Sequence, residues 1–195
     1  MNDQIFETVV TSVSVSGAPH VAPMGVRYRG CHVVLMPFKP STTLDNVMAT
    51  GHAVLNVVTD TRVFAGCVTG RRVWPTVAAE RISGVRLVAA LSHVELALHE
   101  QHDDPQRPLL TLRRVHEVTH APFVGINRAQ AAVVEAAVLV SRLHMLPQHK
   151  IDTEIAYLQI AIDKTAGAAE HEAFGWLLDA VAAHRAKRSQ AEPTR

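Results

Sequence analysis

With 195 residues, 48% of them hydrophobic, and a formal net charge of +1, the chain can build one sizeable core, or a domain with a helical appendage, but not two full-size domains. No apolar run approaches the roughly 20 residues that cross a bilayer, and the basic residues are scattered except for Arg185, Lys187 and Arg188 near the C-terminus, so neither a membrane nor a nucleic-acid partner is indicated. The first ten residues lack a basic start followed by an apolar stretch, and a cytoplasmic protein is expected. Cys31 and Cys67 lie in apolar-looking segments without CxxC spacing, which points to reduced packing residues and no disulfide framework or zinc site.

From Ile5 to Val15 the residues alternate, with Val9, Thr11, Val13 and Val15 on one side and Thr8, Val10, Ser12 and Ser14 on the other. That is the period of a strand. Ser16-Gly17-Ala18-Pro19 turns the chain, and His20–Tyr28 returns. Because Pro23 and Gly25 sit so close together, this second strand is expected to bulge, or to be approached along its backbone, and not to be a regular central one. Arg29-Gly30 makes the next turn, and Cys31–Met36 is apolar enough for burial on both faces.

Pro37 and Pro40 end that strand, and Ser41, Thr42 and Thr43 stand at the head of a short helix in which Leu44, Val47 and Met48 face a core and Gly51 is the stop. Hydroxyls beside free first-turn N–H groups and a positive helix end make an anion site, with phosphate the commonest occupant; plain N-capping is the more frequent use of such a run. His52–Val58 follows as a fourth strand, carrying Asn56, a polar residue that needs partners if buried. Residues 60–81 read as a short helix or a loop turning at Gly70. Val85–Glu100 and Leu109–His120 are expected to form an antiparallel pair joined by the charged turn HDDPQRP, although Ala89, Ala90 and Leu91 weaken the strand tendency. Antiparallel pairs on either side of a helix suggest a small barrel.

From Asn127 onward the composition shifts to alanine, leucine and glutamate. Ala132, Val133, Ala136, Val140 and Leu143 form one helical stripe, Ile151, Ile155, Leu158 and Ile162 a second, and Phe174, Leu177, Leu178 and Val181 a third, with breaks at Pro147 and Gly167. The chain is therefore read as mainly β, or α+β, with a β domain over 1–125 and a helical segment over 126–190.

The twelve histidines do not assemble a metal site in this reading. His116 and His120 share a strand face but would stand about 13 Å apart, and the pairs His99/His102 and His144/His149 lack a carboxylate at HExxH spacing. GxSxG, P-loop and GxGxxG patterns are absent, and no acid/base pair stands out, so the catalytic residues are unknown. Trp74 and Trp176 are read as packing residues before ring-stacking ones.

The segment STTLDNVMATGHAVLNVVTD resembles the flavin reductase branch of the FMN-binding split-barrel proteins, through Ser41, Thr43, Asn46, Val54 and Asn56. Glu7-Thr8 with Val9 and Thr11, then Ala22-Pro23-Met24-Gly25-Val26, Ser41-Thr42-Thr43, Asn46, Asn56, Asp60, and Asn127-Arg128-Ala129 with Glu135 and Arg142 occur in the order seen in a split-barrel family of unknown function that adds a C-terminal helical segment. The resemblance implies a six-stranded split barrel, a homodimer, and FMN in a groove at or near the subunit interface. Ser41, Thr42 and Thr43 would take the phosphate. Pro23, Met24, Gly25 and Val26 would offer backbone groups to the flavin edge, and Asn46, Asn56 and Asn127 complete the implied set. Of the candidate cations Arg128, Arg27 and Lys39, Arg128 is preferred for its bidentate fork and its place at the start of the tail. The implied function is an FMN-dependent oxidoreductase acting on a small molecule or electron donor. The alternative is a non-catalytic FMN-binding protein, a carrier, sensor or assembly partner, linked to one-carbon or pterin metabolism.

Overall fold

The computed structural model describes residues 4–191. The first three residues, part of the stretch read for a targeting segment, lie outside them. Six strands close into an antiparallel barrel in the order β1, β2, β3, β8, β7, β4. Their spans are β1 Phe6–Val13, β2 Pro19–Arg29, β3 His32–Leu35, β4 His52–Val57, β7 Ser92–His102 and β8 Leu109–Thr119. A separate hairpin, β5 (Thr76–Ala78) with β6 (Val85–Leu87), makes a two-stranded sheet. The mostly β order, with apolar alternation along β1 and β4, thus closes on itself, which leaves fewer free edges than an open sheet would carry.

Alternation decides what fills the barrel. Val10, Leu55, Val94 and Leu96 point inward with Val26, Val33, Leu35, Leu110 and Leu112, and helix α1 (Thr42–Thr50) adds Leu44 and Val47 to the same cluster. Met48, expected beside them, is 43% exposed; the helix is too short to bury a third position of that stripe. The outward positions of β1, β4 and β7 include Val9, Thr11, Val54, Asn56, His93 and Glu95, all buried although they face away from the core.

Two expectations are corrected. Of the two alternatives for β2 the bulge is not found, since the strand runs in unbroken register with β1 from Phe6↔Val26 to Val13↔Pro19, while its backbone is open on one side. Pro23 is tolerated because β3 pairs with β2 only over Val26–Arg29, so the stretch before Val26 has a strand on one side alone. Val85–Glu100 is also not one strand. Leu87 and Ala90 close a turn, and Leu91 donates its N–H to the Val57 carbonyl, so β6 leaves the sheet that β7 joins. Cys31 is exposed in the turn before β3 and not a packing residue, while Cys67 is half-buried.

By contacts the chain groups as two compact units, one with residues up to Thr59 and Arg72–Phe123, the other with Asp60–Arg71 and the residues from Val124 on. The sequence expectation kept 60–71 with the barrel. Those residues form α2 (Arg62–Val68), whose Val63, Phe64 and Ala65 are buried and which packs on α3 (Arg128–Ser141) and α5 (Ala168–Ala191). Arg62 binds Asp60 in a two-bond fork and reaches Glu172 at 3.3 Å, and those carboxylates hold its guanidinium charged. In the same unit, α3 buries Ala132, Val133, Ala136 and Val140, α4 (Gln148–Thr165) buries Ile151 and Ile162, and α5 buries Phe174, Leu177 and Val181. Trp176 packs under the Arg71 guanidinium at 4.3 Å from the ring centre.

Candidate functional site

The hydroxyl turn is a helix cap with part of its face open. Ser41 has an extended backbone, and its Oγ accepts the Leu44 N–H at 3.3 Å, while Gly51 closes the helix in the left-handed region at φ 74°. The N–H groups of Thr42 and Thr43 have no intrahelical acceptor, as in any first turn. The three hydroxyls do not share one face. Thr42 is exposed, Ser41 is half-buried, and Thr43 is 1% exposed, so Thr43 supports the turn from inside and the open part of it is Ser41 and Thr42.

Beside the barrel core that α1 enters lies the one-sided stretch of β2. Ala22, Pro23, Met24 and Gly25 pair with Val10, Val9, Thr8 and Glu7 on β1 and have no strand on the other side, and Thr8 Oγ1 donates to the Met24 carbonyl at 2.9 Å. A Cβ at Gly25 would meet Ile5 Cγ2 at 2.7 Å, so the absent side chain is already used by a neighbour in the chain. Val26 is fully buried, with its side chain in the barrel core and its backbone between Phe6 of β1 and Leu35 of β3, so it ends the open stretch and offers a ligand nothing.

Asn46 and Asn56 are interior ties. Asn46 is 6% exposed and donates Nδ2–H to Ser12 Oγ at 3.0 Å, joining α1 to β1. Asn56 has no exposure. Its amide nitrogen donates toward the Val9 carbonyl, Thr11 Oγ1 and the Val54 carbonyl at 3.1–3.2 Å, and its oxygen accepts the Leu87 N–H at 2.8 Å. With donors and acceptor engaged and no surface, Asn56 cannot touch a ligand in this structure. It fastens β6 to β1 and β4.

Asn127 and Arg128 belong to the helical unit. Asn127 caps α3, accepting the Ala129 N–H at 2.8 Å and donating to the Thr165 carbonyl at 3.1 Å, which ties the start of α3 to the end of α4. This is the plain capping use. Arg128 is exposed and borders an open hollow of about 380 Å³ with Val124, Gly125, Ile126, Asn127 and Thr165. Of the other two cations, Lys39 is held by Asp103 at 2.5 Å, and Arg27 lies against Met36 Sδ at 3.2 Å.

A cluster that the sequence reading did not assemble stands on the outer wall of the barrel. His93 and His120 stack with ring centres 5.0 Å apart, and His93 Nδ1 lies 2.9 Å from His120 Nε2. His93 Nε2 lies 3.3 Å from Glu95 Oε1, and Glu95 accepts the backbone N–H groups of Glu80, Arg81 and Ile82 at 2.6, 2.8 and 3.0 Å. Burial raises the Glu95 pKa, but the three amides and His93 outweigh it and leave the carboxyl below its usual range; burial, with Arg86 and His93, lowers that of His120. The signal in the sequence was the i, i+2 pair His93 and Glu95, which places two polar groups on one face of an otherwise apolar strand.

Among the described residues no group of three or more His, Cys, Asp or Glu side chains can hold a metal ion, and no helix is long and apolar enough to cross a membrane.

Two family models match in succession: that for the N-terminal domain of a protein of unknown function, DUF447, over residues 6–121, and that for DUF447 over residues 127–179. No curated protein matches. Among solved structures, an FMN-bound DUF447 protein from Methanosarcina mazei is similar with a TM-score of 0.78 at 21% identity, over 92% of this chain and 96% of that one. The 2-nitrobenzoate 2-nitroreductase of Pseudomonas fluorescens gives 0.53 at 19% identity over 62% and 66%, and a putative flavin reductase with a split barrel domain from Shewanella frigidimarina gives 0.54 at 12% over 64% and 74%. At these identities the likenesses show the fold: a split barrel, with the helical addition shared by the Methanosarcina protein.

Proposed function

The chain belongs to the DUF447 family, and from that premise we propose that it is an FMN-binding flavoprotein, an oxidoreductase of the flavin reductase-like split-barrel type acting on a small molecule. The observation that carries this reading is the one-sided stretch of β2 in the same barrel that α1 enters with an open, hydroxyl-capped first turn. The Methanosarcina protein, which this chain covers over 96% of its length, is itself FMN-bound, which supports it.

The residues present suit the group. Ser41 and Thr42 hydroxyls with the N–H group of Thr42 would hold a phosphate, where charge-assisted bonds and the helix dipole favour an anion. Backbone donors and acceptors of Pro23, Met24 and Gly25 on the unpaired side of β2 would orient a flat polar ring edge. Asn46 holds α1 at its distance from β1, and Val26 fixes β2 through the core. Bound FMN supplies the redox chemistry, taking up electrons from a donor and passing them to an acceptor.

The protein acts as a homodimer in this reading, because Ile5 and Phe6, 51% and 40% exposed beside the open part of β2, give a partner an apolar surface to cover. One observation favours the non-catalytic alternative: none of Pro23, Met24, Gly25, Val26, Ser41, Thr42, Thr43 and Asn46 carries a titratable side chain, so this set holds no proton donor or base. The test is the purified protein itself. Flavin absorbance with FMN released on denaturation supports both readings, and a colourless protein that takes up no added FMN refutes both. Bleaching by NADH or NADPH under anaerobic conditions selects the oxidoreductase; a flavin that neither nucleotide reduces selects the carrier.

A further inference from the structure

We propose that His120, His93 and Glu95 form a proton-controlled clasp that holds the turn Glu80–Ile82, and with it the β5–β6 strap, against the outer wall of the barrel. The inference is independent of flavin binding. It starts from where the strap is attached. Its β6 end is pinned by neutral groups: the Leu87 N–H goes to Asn56 Oδ1, and Thr11 Oγ1 donates to the Val85 carbonyl. Its turn is pinned differently, by three consecutive amides on the single carboxylate of Glu95, a side chain with no exposure. Among the described residues no Lys or Arg forms an ion pair with Glu95, which also meets His93, likewise fully buried.

Hydrogen-bond stoichiometry fixes the protons. An ionised Glu95 accepts only, so a neutral His93 carries its proton on Nε2 and presents the Nδ1 lone pair to His120, which then donates from Nε2. The outer Nδ1 of His120, an exposed residue, is left as the port to solvent. A first extra proton enters there and leaves every bond of the chain in place. A second sets N–H against N–H across the 2.9 Å gap, and the stack parts. The two rings, 5.0 Å apart, then carry like charge, which works against the stack. Once His93 moves away from Glu95, the carboxylate loses its fourth partner and takes a proton more readily, which weakens its hold on the three amides.

The other charged groups around the chain act in known directions. Arg86 on β6 and Glu80 in the turn face His120 with opposite effects. His116 stands 6.3 Å from the His93 ring and bonds Glu80 Oε2 at 3.2 Å, and the Arg114–Glu117 pair is neutral in sum on β8. His116 therefore adds a side-chain tie on the same turn without entering the chain.

Amide hydrogen exchange reads the clasp. The protection of Glu80, Arg81 and Ile82, corrected for intrinsic rates and divided by that of Leu87, whose acceptor does not titrate, should be level from pH 8 to 6. It should then fall by about tenfold or more before pH 4.5. In His120→Gln the fall should vanish, because the amide can turn either its N–H or its C=O to His93 and so tolerates both protonation states. A level ratio in the parent protein, or an undiminished fall in His120→Gln, overturns the proposal. Ring nitrogen shifts at pH 7.5 give a second reading on the unaltered protein: both rings protonated at Nε2 supports the clasp, and His93 protonated at Nδ1 alone refutes it.

Discussion

Replacing Asn56 by alanine separates a structural tie from a ligand-binding residue. The side chain has no exposure, and its amide joins three elements: Val9 and Thr11 on β1, its own strand through Val54, and β6 through Leu87. After the change, the carbonyls of Val9 and Val54 keep a second lone pair for other partners, and Thr11 still has the Val85 carbonyl. The Leu87 N–H loses its acceptor and stays buried, which costs about 1–3 kcal/mol. The space left by the amide and the loss of the bonds to β1 add about 1 kcal/mol more. A total of about 2–4 kcal/mol follows, read as a fall in the urea midpoint of about 1 M or more at unchanged slope. The loss should be the same with and without added FMN. A change under about 0.5 kcal/mol, or a large loss of flavin affinity with no loss of stability, would refute the assignment and return Asn56 to the binding set.

Three further outcomes follow from the same geometry. Changing Ser41 and Thr42 together to alanine should weaken FMN at least tenfold more than riboflavin by calorimetry, since only FMN carries the phosphate, while the lost cap costs about 1 kcal/mol of stability; equal loss for both ligands sinks the placement. Asn127→Ala removes a cap and the link to Thr165, and should cost about 1–2 kcal/mol in thermal or urea unfolding with the flavin spectrum unchanged; bleaching of flavin binding at full stability would put Asn127 in a site. For pH, the folded state holds both Glu95 and His120 below their ordinary pKa values of about 4.5 and 6.5. In each case the unfolded chain binds more protons, so stability is complete above about pH 6.5, begins to fall below it through His120, and falls again below about 4.5 through Glu95. Urea midpoints that rise on acidification from pH 7 to 5 contradict the sign.

Much of the fold was legible because it rests on local rules. Alternation from Ile5 to Val15, the Ser41 cap and Gly51 stop, and the stripes of α3 and α5 each state their own structure within a few residues. The regular course of β2 was not legible, because Pro23 is tolerated by the absence of a neighbour, and which strands lack neighbours is a property of barrel closure. The place of residues 60–71 was hidden for a like reason: seven helical residues bury Val63 and Phe64 against helices more than sixty positions later.

The binding set was the least legible part, and the cause is chemical. Asn and Thr offer the same donors and acceptors to a ligand and to the backbone, so motif matching cannot separate Asn56, which pins β6, from Thr42, which stays open. The outer wall was missed through the opposite error. His116 and His120 were judged as a pair on one strand and found too far apart, whereas the residue that brings His120 into a chain is His93 on the neighbouring strand, paired at Val118 between them. Cross-strand register, fixed only when β7 and β8 close the barrel, joins two buried polar residues, His93 and Glu95, to the exposed His120 in one hydrogen-bonded unit. A polar i, i+2 pair within an apolar strand therefore calls for a search across the neighbouring strands before either residue is assigned to solvent.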